Sequence, residues 1–332
     1  MRACNWTGDT PLHLAAKLGS PCATDFLCRR LPEADINRAR RNDPCLSPLG
    51  NAASALDYCS LPHGQQLRDQ REGEETVDRE KRFMQIGSLA ALGLQERERL
   101  LSMISRLKRT ARVLLRAGAE YSLSRMPADT DGQRSRRELM ATEYASVLNE
   151  DLPNMAMAAL IVGLAAHRSF AAHFMYALPL GPHVSAAISW RIAAFCFDEE
   201  AAKESISAAF PFRHTDMARR VVAAIEHFVK YAALRASSNR EVVGAMADVG
   251  GQMVRVPLQC FAVWGQPGGQ HRVLGVREVV HRARLDEAAK CGVQGAVLKG
   301  FNEHLGNDDC QFAWGQLGYI DKRRQFVSLR IK

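Results

Sequence analysis

The sequence predicts a mainly α-helical fold in which short antiparallel helix pairs stack side by side as a solenoid. Three observations indicate this class: a short helix with clear start and stop signals near the N-terminus, partial copies of the same pattern further along, and helix-like apolar segments between them. At 332 residues, the chain is long enough for two domain cores or for one long array. The recurring pattern favours the array.

The clearest element is residues 10–19, with the sequence TPLHLAAKLG. Thr10 is a good N-cap because its hydroxyl can accept a backbone N–H bond. Pro11 fits the first helical position, where its missing N–H costs nothing, and Gly19 can adopt the left-handed conformation that ends a helix. These signals predict a helix of about two turns.

A second helix is expected to pack antiparallel to the first. Ala15 and Ala16 are small enough for a neighbouring helix to approach closely, and Leu12, Phe26 and Leu27 supply the apolar faces of the pair. One such pair cannot bury its apolar faces alone and must stack on another.

These residues resemble the ankyrin repeat, a unit of about 33 residues that contains a Thr-Pro-Leu-His helix, a second helix and a closing hairpin. Residues 34–37 match the hairpin that ends the unit. The resemblance implies stacked helix pairs and binding of a protein partner. The predicted fold is therefore mainly α, an irregular ankyrin-like solenoid with a long charged insertion.

Weaker copies suggest further units. A second unit is expected to begin at residues 54–59 and to end with a helix and turn at 112–120, and residues 141–145 with 152–164 suggest a third. Residues 256–265 and 285–292 fit the frame of the first helix again. Because Gly265 and Gly292 are only 27 residues apart, one of these two copies is distorted or is not a repeat.

The predicted organisation has three parts: ankyrin repeats over 1–165, a helical region over 166–235 that contains possible degenerate repeats, and further helix pairs with a C-terminal cap over 236–332. An insertion at about 60–95 interrupts the second unit, and it is either a partner-binding protrusion or a linker. A polar stretch at 124–137 is expected to form a hairpin tip.

Composition narrows the cellular setting. The nine cysteines are odd in number and include no CxxC pair, which indicates reduced thiols in the cytoplasm. The apolar stretches at 155–166 and 170–180 are shorter than the roughly 20 residues of a membrane-spanning helix, so we expect buried helices and no membrane insertion.

The resemblance implies that a protein partner binds hairpin tips and inner helices. Trp6, Thr7 and Asp9 match variable tip positions of the first unit, and Lys17 and Leu18 match the exposed end of its first helix. Trp6 is either an interface anchor or a cap on the open end of the stack.

No catalytic residue, cofactor or metal site is predicted, and His13 is expected to be structural. The net charge of +8 is spread along the chain, and the basic face at 106–116 has no interleaved aromatic residues, so nucleic acid is not the favoured partner. The alternative is an effector or enzyme in which the ankyrin part recruits a target and residues 166–332 act on it. Its Cys/His-type activity would draw on Cys260, His271, His281, His304 and Cys310.

Overall fold

The computed structural model describes most of the chain, which separates into two compact units, residues 1–147 and residues 148–332. The described residues are 4–5, 8–39, 47–60, 94–178, 182–235, 246–249, 252–255, 258–265, 272–297 and 306–331. The mainly helical fold is confirmed. The predicted insertion at 60–95 lies almost wholly outside these residues.

The first unit is built from helices. They are α1 (Pro11–Lys17), α2 (Pro21–Cys28), α3 (Glu33–Ile36), α4 (Pro48–Ser60), α5 (Leu94–Arg116), α6 (Glu120–Ser124) and α7 (Asp131–Ser146).

The predicted capping of α1 is confirmed. The Thr10 hydroxyl accepts a bond from the His13 backbone N–H, and the Thr10 backbone N–H donates to His13 Nδ1 at 3.2 Å. This reciprocal pair forms a capping box in which His13 is completely buried, so its structural role is also confirmed. Gly19 has a φ of +60° and ends the segment as predicted.

The two helix pairs of this unit stack in order. α1 packs on α4 and α2 packs on α5, while α7 packs on both α4 and α5. The buried side chains along these contacts are mostly small or aliphatic, among them Leu12, Ala16, Ala52 and Leu107. Small residues let helix axes approach closely, which is the packing expected from the sequence.

Polar bonds tie neighbouring pairs together. The Asn37 amide donates to the Gly118 carbonyl at 2.8 Å, and the Ser122 hydroxyl donates to Asn37 Oδ1 at 2.7 Å. Glu143 on α7 is buried and meets Arg112 at 2.8 Å on α5. These bonds fix the register between successive helices.

Three predictions about this unit are wrong in detail. The second pair begins at Pro48 and not at residues 54–59: the Ser47 hydroxyl accepts a bond from the Gly50 N–H at 3.2 Å, as Thr10 does for His13. Residues 34–37 belong to the short helix α3 and its cap rather than to a hairpin. The stretch 124–137 is mainly helical, because Thr130 caps α7.

The second unit contains both helices and strands. A π-helical turn, Val147–Asp151, precedes α8 (Leu152–Gly163), α9 (Ala165–Ala177), α10 (Pro182–Phe195), α11 (Glu199–Ala209) and α12 (Asp216–Arg235). The strands are β1 (Met246–Val249), β2 (Gln252–Arg255), β3 (Gln259–Val263), β4 (Arg272–Gly275), β5 (Leu317–Ile320) and β6 (Phe326–Ser328), with α13 (Val276–Cys291) after β4.

The helical core of the second unit lies where α8 meets α11 and α12. Gly163 permits this approach, because a Cβ atom there would stand 2.8 Å from Ile206 Cγ1 and 3.1 Å from Val229 Cγ2. Helices α9 and α10 form an antiparallel hairpin, whose buried seam includes Ala171, Trp190 and Ala193.

A four-stranded antiparallel sheet has the order β4-β3-β5-β6. Helix α13 packs on β3, β4 and α12. His227 of α12 bonds to the Cys260 carbonyl at 3.0 Å and contacts the rings of Phe261 and Tyr319. These contacts join the sheet to the helices. Strands β1 and β2 form a separate hairpin.

Among the described residues of 236–332, strands and the single α-helix α13 stand in place of the predicted helix pairs. Within the segment 256–265, residues 259–263 form the buried strand β3, because their apolar side chains are covered by α13 and by the neighbouring strands. Residues 285–292 are the second half of α13, which begins at Val276, although Gly292 does end that helix with a φ of +72°. The first unit also ends at Val147 and not at residue 165.

The apolar stretch 155–166 is less buried than predicted, since Ile161 and Val162 are exposed. In the described part of the chain, no single helix has both the length and the apolar composition needed to cross a bilayer. Two consecutive helical segments, Asp131–Gly163 and Ala165–Ala177, reach that length and apolar composition when taken together, and the angle between them is 44°.

Candidate partner-binding site

The exposed side of α1 carries two apolar residues and one cation. Leu14 and Leu18 are one helical turn apart and lie on the same face, with Lys17 beside them. Leu18 is 69% exposed, and the Lys17 ammonium forms no ion pair with a described residue. We call Leu14, Lys17 and Leu18 the α1 surface.

The end of this surface is held in place by α5. Arg106 Nε donates to the Gly19 carbonyl at 3.1 Å, and its guanidinium also reaches the Leu18 carbonyl at 3.5 Å. A Cβ atom on Gly19 would stand 3.1 Å from Leu107 Cγ, so the turn lies directly against α5. The exposed Leu18 side chain therefore projects from a fixed backbone, so binding there need not order the main chain.

Helix α5 continues the apolar area. Met103 lies one turn before Arg106 and is exposed, as is Leu101. Because Arg106 contacts the backbone at residues 18 and 19, Met103 lies on the side of α5 that faces the end of the α1 surface. Sequence reasoning did not select Leu14 or Met103, although the spacing of Leu14 and Leu18 indicated a shared face.

Phe26 on α2 is also exposed, contrary to its predicted place in the buried face of the helix pair. The Arg30 guanidinium lies 3.7 Å from the centroid of the Phe26 ring and donates to the Phe26 carbonyl at 3.1 Å. This cation–π contact covers one face of the ring.

The structure places the other predicted site residues as follows. Trp6 and Thr7 lie outside the described residues. Asp9, which matches a variable tip position, is only 5% exposed, so little of its side chain is available to a partner. Its backbone N–H donates to Asn5 Oδ1 at 2.8 Å and its carbonyl accepts the Asn5 N–H, in a tight turn that Gly8 allows with a φ of +84°.

A shallow groove with an enclosed volume of only about 10 Å³ lies between the start of α1 and the end of α2. Its walls include Leu12, Leu27 and Leu31, and Asp35 and Arg38 form its polar edge. The groove is small and mostly apolar, so it suits one apolar side chain better than a cofactor.

The basic face predicted at 106–116 is largely used inside the fold. Arg106 binds the α1–α2 turn, and Lys108 and Arg112 meet the Glu143 carboxylate at 3.4 and 2.8 Å. Cations engaged in this way are poorly placed to contact a phosphate backbone.

The Cys/His alternative depends on the second unit. The Cys260 side chain is 4% exposed, and burial raises the pKa of its thiol well above the ordinary value, which disfavours the reactive thiolate. His227 contacts the Cys260 backbone carbonyl, not its sulfur. His271 and His304 lie outside the described residues.

Cys310 is fully buried against α13. It interacts electrostatically with Arg284, which is also buried, and desolvation lowers the pKa of that guanidinium to about 10. His281 is directed to Asn307 Oδ1 at 2.9 Å, and burial lowers the pKa of its imidazole. The bond between His281 and Asn307 ties α13 to the segment that carries Cys310. The Cys310 sulfur is not accessible at the surface.

No set of three or more histidine, cysteine or acidic side chains among the described residues is arranged to hold a metal ion. Comparison of the chain with protein-family models, with curated proteins and with solved structures finds no match.

Proposed function

We propose that the chain is a protein-binding module whose first unit is an ankyrin-like stack of helix pairs, working in a reducing cytoplasm. The order of stacking supports this architecture, because first helix packs on first helix and second on second. The repeated cap at Thr10 and Ser47 supports it further, since both residues precede Pro-Leu and use their hydroxyls in the same way.

The observation that carries the binding proposal is the exposure of Leu14 and Leu18 on a backbone held by Arg106. Exposed apolar side chains on a rigid support are typical anchors of protein interfaces. Lys17 adds a positive charge beside them. We infer that the partner presents an apolar segment with a neighbouring carboxylate.

The experiment compares capture of partner proteins by the full chain and by three single variants. Leu18→Asp and Leu14→Asp place a charge in the apolar contact and should each weaken binding of the specific partner by about tenfold or more. Leu234→Asp makes the same change at a similarly exposed leucine of α12 and should leave binding unchanged.

Lys17→Glu should slow association and reverse its salt dependence, because the charge beside the apolar contact changes sign. Circular dichroism and thermal melting of each variant verify that the fold is kept. A partner that is captured equally by Leu18→Asp and by the unaltered chain does not bind the α1 surface, and this result would refute the proposal.

A further inference from the structure

The second unit exposes a long apolar face that the proposed function does not use. On α8 and α9, exposed positions recur every three or four residues from Ala158 to Ala177. The large apolar members are Ile161, Val162, Phe170 and Tyr176, and alanines, Ser169 and His173 occupy the other exposed positions. We call this face the α8–α9 stripe. Contiguous apolar surfaces of this kind mark contacts with proteins or membranes.

The sequence around the stripe carries positive charges and no negative ones. Residues 152–197 contain no aspartate or glutamate, whereas the chain has 36 acids in 332 residues and a stretch of this length would carry about five on average. The only permanently charged side chains in this range are Arg168 and Arg191. Neither forms an ion pair with a described residue, so both charges are available to a negatively charged surface.

The aromatic residues project instead of forming a pocket. Tyr176 on α9 is 91% exposed and Phe195 on α10 is 92% exposed. Side chains that protrude this far need a deformable surface or a matching cavity in a partner. Tyrosine and other aromatic rings favour the headgroup region of a bilayer, where the ring is partly buried and the hydroxyl stays hydrated.

We propose that the α8–α9 stripe binds the surface of an anionic phospholipid bilayer, lying in the headgroup region without crossing it. The apolar side chains enter the boundary between headgroups and acyl chains, and Arg168 and Arg191 attract the negative headgroups. The absence of acids from residues 152–197 is essential, because a carboxylate there would be repelled by the same headgroups.

The test is sedimentation of the full chain with vesicles of phosphatidylcholine alone or mixed with phosphatidylserine. The chain should bind the mixed vesicles more tightly, and added salt should weaken binding. Phe170→Asp and Tyr176→Asp should each weaken it by about tenfold or more, since burial of the ring is lost and a repelled charge is introduced. Arg191→Gln should weaken it about fivefold.

Two matched controls separate the stripe from general effects. Phe26→Asp changes a phenylalanine whose exposed fraction, 51%, is similar to the 47% of Phe170. Arg323→Gln removes an exposed cation that lies outside helices α8, α9 and α10. Both should bind the mixed vesicles as the unaltered chain does.

A conservative variant provides a test that does not depend on loss of binding. Tyr176→Trp keeps an aromatic ring at an exposed position, and its added fluorescence should shift to shorter wavelength with mixed vesicles and be quenched by brominated lipid. Failure of the unaltered chain to bind either vesicle would overturn the proposal. So would a dimer in light scattering that Phe170→Asp converts to a monomer while vesicle binding is unaffected, because the stripe would then be a contact between copies.

Discussion

Replacing Gly19 by alanine tests the contact that holds the α1 surface against α5. Two separate costs are expected. The first is conformational, because the φ of +60° at Gly19 is a left-handed value that costs an alanine about 1 kcal/mol. The second is steric, because the new methyl group would meet Leu107 Cγ and Cδ2 at 3.1 Å and its backbone nitrogen at 3.3 Å.

Gly292 is the matched control, since it separates these two costs. Gly292 also follows a helix, has a φ of +72°, and donates its N–H to a carbonyl three residues earlier, as Gly19 does. No atom lies within 4 Å of the position of its missing Cβ. Gly292→Ala should therefore lower the free energy of unfolding only by the conformational cost, about 1 kcal/mol. Gly19→Ala should lose about 1 kcal/mol more, because the fully buried Leu107 has little room to move.

Hydrogen exchange resolved by peptide is the appropriate assay, because it measures the opening free energy of each unit within the full chain. Amides of α1 and α2 should exchange at least tenfold faster in Gly19→Ala, and those near the end of α13 about fivefold faster in Gly292→Ala. Equal losses in the two variants would show that the turn does not press on α5, and the α1 surface would lose its support.

Three further predictions concern the polar and titratable groups. Asn37→Ala should destabilise the first unit by about 2 kcal/mol, because the partner groups at Gly118 and Ser122 lose their hydrogen bonds. If the stability losses of Asn37→Ala and Ser122→Ala add up in the double variant, the two side chains are not coupled as proposed. Burial lowers the pKa of His167, so below about pH 6.5 the unfolded chain gains a proton that the folded unit does not, and stability should fall as the pH falls toward the folded pKa. His167→Phe should reduce this dependence, and an unchanged slope in a pH series of melting curves would assign it to other groups. In thiol labelling followed by mass spectrometry, Cys22 should react quickly and Cys260 only on unfolding, and rapid native labelling of Cys260 would contradict its burial.

Local signals in the sequence predicted the first helix well. The Thr10 cap, Pro11 and the left-handed Gly19 act through bonds between residues at most four apart, so they operate with little help from the rest of the fold. The predicted start of the second helix pair, at residue 54, lies about one and a half helical turns after its observed start at Pro48. Residues 47–53 repeat the Ser/Thr-Pro-Leu pattern with two alanines, but Gly50 replaces the histidine, and this difference concealed the match.

The prediction for residues 236–332 was the least accurate, because their structure depends on contacts between residues far apart in the sequence. Residues 259–263 are apolar over a length that suits either a strand or a buried helix, and only the pairing of β3 with β4 and β5 decides between them. Asp9 illustrates the same limit for a site residue, since the resemblance matches it to a variable tip position and the folded chain leaves it only 5% exposed.

Composition and short-range bonding are local properties, so the helical class, the caps of α1 and the lack of acids in residues 152–197 follow from the amino-acid sequence alone. Which apolar residues remain in contact with solvent depends on how the helices and strands pack in the folded chain. Leu14, Phe170 and Tyr176 resemble core residues in the sequence, and they are exposed because no described element of the fold packs over them. Burial depends on distant neighbours, so the sequence indicated only Lys17 and Leu18 of the α1 surface, and the α8–α9 stripe became visible only in the folded chain.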